Sequence, residues 1–320
     1  MAVYTSISKE TLSSFIDNYD IGLLENFEGI LEGVENTNYK IKTSQNIYIL
    51  TIFEKRMNFH ELPFFIELQN HLSNKNIKCP HPIANKSGQH INTIENKPCV
   101  IMSFLSGQKI DNPNTHHCYQ VGKQIANIHH HTNDFKLTRN NNLHQSNWRN
   151  IFDKCKQSQD DRYNGLFKSI DKELEYLDNN WPVNLPEGVI HADVFQDNVF
   201  FTNDTLSGLI DFYFACNDFY AYELAICINA WCFGNDVAID KDKFEAIFQG
   251  YQKFRILSHK ELENLPILLR GASIRILLTR LHDQLYHPEE AFVKPKNPME
   301  YFRILNFHQN NKLLYKTIGY

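Results

Sequence analysis

Long apolar runs are missing from this sequence. No uninterrupted stretch approaches the ~18 residues that a membrane-spanning helix needs, so no transmembrane segment is expected. Basic blocks and arginine stripes are missing too, and a net charge of −5 with a pI near 6.3 argues against a protein that holds nucleic acid by charge. The opening residues, MAVYTSISKETLSSF, lack a charged segment followed by an apolar one, so no signal peptide is expected. Seven cysteines, an odd number, form no CxxC pair. Several sit inside apolar patterns, which predicts buried free thiols and a reducing, cytoplasmic compartment. Internal repeats and low-complexity segments are absent as well.

What is present is a chain long enough for two lobes, with ordinary apolar content and many aromatics. Residues 8–19 have a Ser cap and helical spacing. "NYKIKTSQNIYILTIFE" alternates like two strands about a turn at Ser44-Gln45-Asn46, and "INTIENKPCVIMSFLSG" like two more about Asn96-Lys97-Pro98, with a helix from Phe59 between the pairs. After Ser106-Gly107 helical spacing dominates: 115–132, 147–157, 164–180, 218–233, 241–257, 260–285 and 298–315. The expected architecture is α+β, with a β-rich lobe over 1–103, a mostly helical lobe over 104–320 and a hinge at 103–107. A cleft between lobes is the expected site.

One stretch breaks the apolar pattern. "GVIHADVFQDNVFF", residues 188–201, sets His191, Asp193, Gln196, Asp197 and Asn198 between two short runs that read as buried strands. Polar groups there cost free energy unless they are paired, hold a metal or do chemistry. Turn capping is the ordinary explanation. Against it stand Asn198 five residues past Asp193 and Asp211 in the apolar "LIDF", read as a strand.

This constellation resembles the phosphotransfer signature of the aminoglycoside and choline kinase superfamily, whose fold is bilobal and protein-kinase-like. The resemblance implies ATP and Mg²⁺ as cofactors. Asp193 would orient the attacking hydroxyl and take its proton, Asn198 and Asp211 would offer oxygen ligands to Mg²⁺, and His191 would brace the loop. It also implies a lid over the nucleotide phosphates at "EGVENTNYKIKT", with Gly33, Asn36, Thr37 and Asn38 between the first two strands. Ser103 and Leu105 fall in the hinge that pairs with adenine. Such folds carry a phosphate-binding Lys in the third strand, paired with a helix Glu. Here Thr51 occupies the expected position, leaving Lys55, or Arg56 beside it, as the cation and Glu67 as the partner.

"LTIFEKR", "GVIHADVFQDNVFF", "GLIDFYFACNDFYAYELAICINAWCF" and "RGASIRILLTRLHDQL" together are similar to the homoserine kinases of that superfamily, over about residues 20–310. The implied activity is ATP-dependent phosphorylation of the side-chain hydroxyl of L-homoserine, a step of threonine biosynthesis. A carboxylate-bearing acceptor calls for a guanidinium, so Arg270, Arg275 and Arg280 are candidates, with Asp283 for the ammonium group and Asn229 and Trp231 as lining. Arg275 and Arg280, five apart, cannot line one wall. Alternatives are another small hydroxyl substrate (choline, a methylthio sugar, an aminoglycoside) and a kinase-shaped binding protein without turnover. His129-His130-His131 cannot chelate one ion from a regular helix, so capping or surface roles are expected there.

Overall fold

The structure, a computed structural model, describes residues 5–30, 36–54, 59–158, 160–234, 238–287 and 294–311. Gly33, Lys55 and Arg56 lie outside them. The chain divides into two compact units: residues 1–107 with 207–210 and 290–293, and residues 108–206 with 211–289 and 294–320.

The first unit is built on a five-stranded antiparallel sheet. Its strands are β1 (Leu24–Ile30), β2 (Thr37–Thr43), β3 (Ile47–Ile52), β4 (Asn92–Ile94) and β5 (Lys97–Ser103), in the order β1-β2-β3-β5-β4. Alternation assigns the faces. Tyr39, Ile41, Leu50, Ile52, Cys99 and Ile101 point into a core shared with Leu12 and Ile16 of α1 (Lys9–Ile16). α1 starts where the Ser8 hydroxyl accepts the Thr11 amide at 3.1 Å. The β2–β3 turn is where the sequence puts it, and Thr43 pins it by accepting the Asn46 amide at 3.2 Å. The β4–β5 turn sits one residue earlier than expected. Glu95 and Asn96 both adopt positive φ (49° and 59°), as a two-residue hairpin requires, so Lys97 and Pro98 already belong to β5. Helix α2 (Leu62–Asn74) lies between the third and fourth strands, as read.

The second unit is mostly helical: α3 (Thr115–His131), α4 (Gln145–Gln157), α5 (Asn164–Asn180), α6 (Tyr220–Trp231), α7 (Lys241–Tyr251), α8 (His259–Leu285) and α9 (Met299–Asn310). Four short strands lie between α5 and α6 in the chain. β6 (Glu187–Ile190) pairs antiparallel with β9 (Cys216–Phe219), and β7 (Val199–Thr202) with β8 (Thr205–Leu209). The two runs flanking the polar stretch therefore join different sheets. Two expectations need correction. Residues 218–219 close a strand before α6 begins, and Asp211 stands outside any strand. It adopts φ 62°, ψ 63° and opens the 3-10 turn Phe212–Phe214.

α8 is buried nearly all round from Leu268 to Leu278, the pattern of a central helix, and a Ser258/Glu261 capping box starts it. α3 and α7 meet backbone to backbone. A Cβ on Gly122 would lie 2.1 Å from the Ile247 carbonyl oxygen, and one on Gly250 would lie 2.0 Å from that of Tyr119. All seven cysteines are free and buried, as expected. No described helix is long and apolar enough to cross a membrane.

Gly250→Ala should force these helices apart and cost about 1–3 kcal/mol, the usual penalty for overpacking. Gly165→Ala, where an added Cβ meets nothing within 4 Å, serves as the control. Urea unfolding should show a lowered midpoint for the first variant alone.

Candidate active site

The polar stretch becomes a tight loop between β6 and β7. Its first three residues are fixed by backbone geometry. His191 is buried with its ring 4.5 Å from that of Phe212, and its Nδ1 accepts the Asp193 amide at 3.3 Å. Ala192 sits at φ 63°, a left-handed conformation that costs an L-residue roughly 1–2 kcal/mol. That turn reverses the chain and presents Asp193.

Asn198 then closes the loop. Its Nδ2 donates to the Asp193 backbone carbonyl at 2.9 Å and to its carboxylate Oδ2 at 2.8 Å. One amide group thus holds both ends of the same residue. Trp231 Nε1 donates to the Val194 carbonyl at 2.9 Å, and Gln196 Nε2 to that of Ala230 at 3.3 Å, so the end of α6 anchors the loop. Trp231 is therefore a buried support of the loop.

Two cations stand by the loop. Arg275 of α8, 2 % exposed, donates from Nη1 to the Ala192 carbonyl at 2.5 Å, and its Nε makes no hydrogen bond. Lys296, which the sequence pattern did not single out, reaches Asp197 Oδ2 at 2.7 Å and lies 5.6 Å over the Phe195 ring. Burial pushes the Asp193 carboxyl pKa up; the charges of Arg275, His191 and Lys296 pull against that rise.

The other expected substrate contacts are separated from this loop. Arg270 is buried in a bidentate pair with Glu173 (2.7 and 2.6 Å), which takes the Nε–Nη2 edge of its guanidinium. Arg280 is paired with Glu300 at 2.6 Å. Asn229 donates to the Leu269 carbonyl and Ser273 Oγ and meets His308 Nε2 at 2.7 Å, all inside the core. Asp283 is exposed on α8, 3.9 Å from His282. Of the three arginines, Arg275 alone touches the loop.

In the first unit, Thr37 and Asn38 belong to β2 rather than to the preceding turn, and Asn36 precedes that strand. The Thr37 hydroxyl is fully buried and donates to Glu54 Oε1 at 2.8 Å, while Asn36 Oδ1 accepts the Glu54 amide at 3.3 Å. Thr51 donates to Asn38 Oδ1 at 2.7 Å across the strands, so a neutral pair fills the place where a Lys was sought. Glu67 faces His90 at 3.9 Å instead of a lysine. A Lys–Glu pair with a buried carboxylate stands elsewhere in this unit: Lys97 of β5 holds Glu54 just past β3. Ser103 and His81 exchange backbone hydrogen bonds through their amides, with Ser103 Oγ and the His81 carbonyl accepting; Leu105 lies just beyond β5. Among the described residues no cluster of three or more His, Cys, Asp or Glu could hold a metal ion. His130 is exposed and His131 bonds its own helix, but His129 is buried, against expectation, and pairs with Glu223 and Tyr251.

The phosphotransferase enzyme family matches residues 26–257. A homoserine kinase of Parvibaculum lavamentivorans is 48 % identical over 309 residues, covering 97 % of this chain and 96 % of its own. One from Xanthobacter autotrophicus is 47 % identical with the same coverage. Among solved structures, an amicoumacin kinase in complex with AMP-PNP, Ca²⁺ and Ami superposes with a TM-score of 0.69 at 13 % identity, covering 97 % of this chain and 94 % of that one. A choline kinase from Cryptosporidium parvum superposes at 0.66 and 14 %, covering 97 % and 98 %. These two resemblances show the expected fold, a five-stranded sheet in the N-terminal region and a mostly helical remainder, to be that of these kinases.

Because burial raises the Asp193 pKa, its carboxyl should titrate above the ordinary Asp range near ~3.9. The folded protein then binds more protons than the unfolded chain between the two pKa values, so this group's contribution to stability falls as pH rises through that window. Arg275→Met removes a charge that favours ionisation and should move the titration further up. Carbon-detected NMR of the labelled carboxyl follows both; a shift downward in the variant contradicts the placement.

Proposed function

The chain belongs to the phosphotransferase enzyme family, among its homoserine kinases, and on that footing we propose that it transfers the γ-phosphoryl group of ATP to the side-chain hydroxyl of L-homoserine, yielding O-phospho-L-homoserine for threonine biosynthesis. The observation that carries this reading is end-to-end identity near half with homoserine kinases, together with an intact Asp193–Asn198 pair.

Asp193 is the base. Its carboxylate accepts the hydroxyl proton as the substrate oxygen forms its bond to phosphorus and the bond from phosphorus to the bridging oxygen breaks, leaving ADP. Asn198 keeps the carboxylate from rotating away by holding Oδ2, and His191 fixes the turn that carries it. The Asn198 Oδ1 and the Asp211 carboxylate are hard oxygen donors that suit Mg²⁺, which when bound would neutralise charge on the phosphates. The left-handed backbone at Asp211 turns this residue out of the β8 line and leaves it exposed, as a ligand-bearing position needs to be. In the first unit, Asn36 and Asn38 belong to the part that covers the nucleotide, and the backbone at Ser103 and Leu105 to the adenine hinge. With Thr51 neutral, the phosphate cation is assigned to Lys55, or to Arg56 beside it, both outside the described residues. Seven buried thiols accord with work in the cytosol.

The acceptor's carboxylate needs a cation near Asp193, and Arg275 and Lys296 are the two that the loop offers. Arg275 already serves the Ala192 carbonyl, which makes Lys296 its competitor for that role.

Asp193→Asn should lower kcat by about 10²–10⁴, the usual loss for a general base, while ATP binding measured by calorimetry stays near that of the parent. An Asn variant with full turnover removes Asp193 from the chemistry.

Arg275→Met and Lys296→Met separate the two cations. The one that reads the carboxylate should raise KM for homoserine about tenfold or more, as expected for a charge-assisted hydrogen bond of roughly 1.5–3 kcal/mol, and leave KM for ATP nearly fixed. Homoserine amide should be a poor substrate of the parent and insensitive to the same change. Equal rates for acid and amide would mean that no carboxylate is read.

A further inference from the structure

The segment before α9 and the first turn of that helix lean on the loop that carries Asp193. Lys296 reaches Asp197 Oδ2 at 2.7 Å and stands 5.6 Å over the Phe195 ring. The Phe195 amide donates to the Asp193 carbonyl at 2.8 Å, so this ring is fixed directly to the base. Beside it lies Tyr301, with the ring centroids 6.4 Å apart and the planes tilted by 56°. Arg280 of α8 stands 4.6 Å over the Tyr301 ring and is itself held by Glu300 at 2.6 Å and the Asn297 carbonyl at 3.3 Å. Two aromatic rings, each faced by a cation, thus tie the start of α9 to the loop.

Tyr301 is the member of this group whose chemistry is unused. It is 1 % exposed, yet among the described residues its hydroxyl makes no hydrogen bond. A Phe would pack on Phe195 and face Arg280 equally well, so the ring contacts do not explain the oxygen. An unmet buried hydroxyl costs stability, and such a group persists where a ligand supplies its partner. The charges of Asp193 and Arg275 both act on this hydroxyl, and burial pushes its pKa up, so the phenol keeps its proton and can donate. Arg275 Nε is a second donor without a partner in the same neighbourhood. Unlike that sealed nitrogen, the Tyr301 hydroxyl is not wholly shut off from the surface. Lys296 and Arg280 are matched by Asp197 and Glu300, whereas Arg275 has no carboxylate in ion-pair contact among the described residues. What the place lacks is an anionic acceptor.

The geometry points to Tyr301 as an acceptor-binding residue: its hydroxyl donates a hydrogen bond to the carboxylate of the substrate while Asp193 receives the substrate's own hydroxyl. In a short hydroxy amino acid these two groups are only a few bonds apart, which suits a donor set beside the base. The assignment deepens the homoserine reading and rests on it. It adds a neutral partner to the cation, Arg275 or Lys296, that the same carboxylate needs.

Tyr301→Phe removes the oxygen and leaves the ring contacts in place. KM for homoserine should rise about 10- to 100-fold, as expected when a hydrogen bond to a charged group is lost. KM for ATP and kcat should move less than about threefold, because the lost contact is made equally in the ground state and the transition state. Since the deleted hydroxyl has no partner in the protein, the urea midpoint of Y301F should equal or exceed that of the parent. A structural hydroxyl would do the opposite, lowering the midpoint and leaving KM alone. Homoserine amide isolates the carboxylate: the parent's preference in kcat/KM for acid over amide should narrow at least about threefold in Y301F. An unchanged KM for homoserine, equal losses with acid and amide, or a lowered midpoint overturns the assignment. Calorimetry of homoserine binding with AMP-PNP and Mg²⁺ present separates this failure from that of the functional reading. A parent that neither binds nor phosphorylates homoserine removes both. A parent that does, with a variant that binds it equally tightly, removes Tyr301 alone.

Discussion

From His191 to Val194 the chain runs largely buried without a strand partner on either side. An unpaired buried backbone group costs about 1–3 kcal/mol, so a loop like this survives only if other elements supply its partners. They do so from several directions. α6 sends Glu223 to two amides and Trp231 to the Val194 carbonyl, α8 sends Arg275 to the Ala192 carbonyl, and Asn198 returns to the carbonyl of Asp193. No single helix satisfies the loop. The geometry of the base is therefore complete only when α6 and α8 are docked together, and folding of the unit is itself the preorganisation of the site.

The same logic governs the sheet of the first unit on a smaller scale. Glu54 leaves the end of β3 and would be a buried charge without partners. Lys97 from β5, the Thr37 hydroxyl from β2 and the Thr5 hydroxyl from the segment before α1 all converge on it. Three separate parts of the chain are thereby tied at the end of the sheet where Asn36 meets Glu54. A buried ion pair adds little net stability, but it fixes which groups meet. Here it fixes the strand ends next to the β1–β2 connection, while the neutral Thr51–Asn38 pair sits on the opposite face of the strands.

How much of this was readable in advance depends on the range of the interaction. Asp193, Asn198 and Asp211 stood out because charge inside an apolar pattern is a local contrast, and strand and helix periods placed most elements within a few residues. Interactions between distant segments left no such mark. Arg270 and Arg275 look alike on the sequence, and only the position of Glu173, 97 residues away, marks the first as structural. His129 looked like one of three surface histidines because nothing local reveals that Tyr251 and Glu223 surround it. The left-handed turns at Ala192 and Asp211 went unseen for a different reason: neither residue is Gly, so no backbone signal announced them. Lys296 was missed because it lies in a segment with no period at all.

The contrast between the two buried arginines explains why the base and its neighbour must be considered together. On α8 they lie five residues and about 140° apart, so they face different surroundings. Arg270 meets a carboxylate that neutralises it. Arg275 has only the Ala192 carbonyl and the Phe214 ring 5.9 Å away, and among the described residues no carboxylate lies within ion-pair distance of it. A buried cation without a counterion is destabilising, and stability alone would favour an apolar residue there. The nearby anion that can offset it through space is Asp193, whose ionisation Arg275 in turn favours against burial. Each charge makes the other less costly. That mutual dependence links the cost of burying Arg275 to the charge on Asp193.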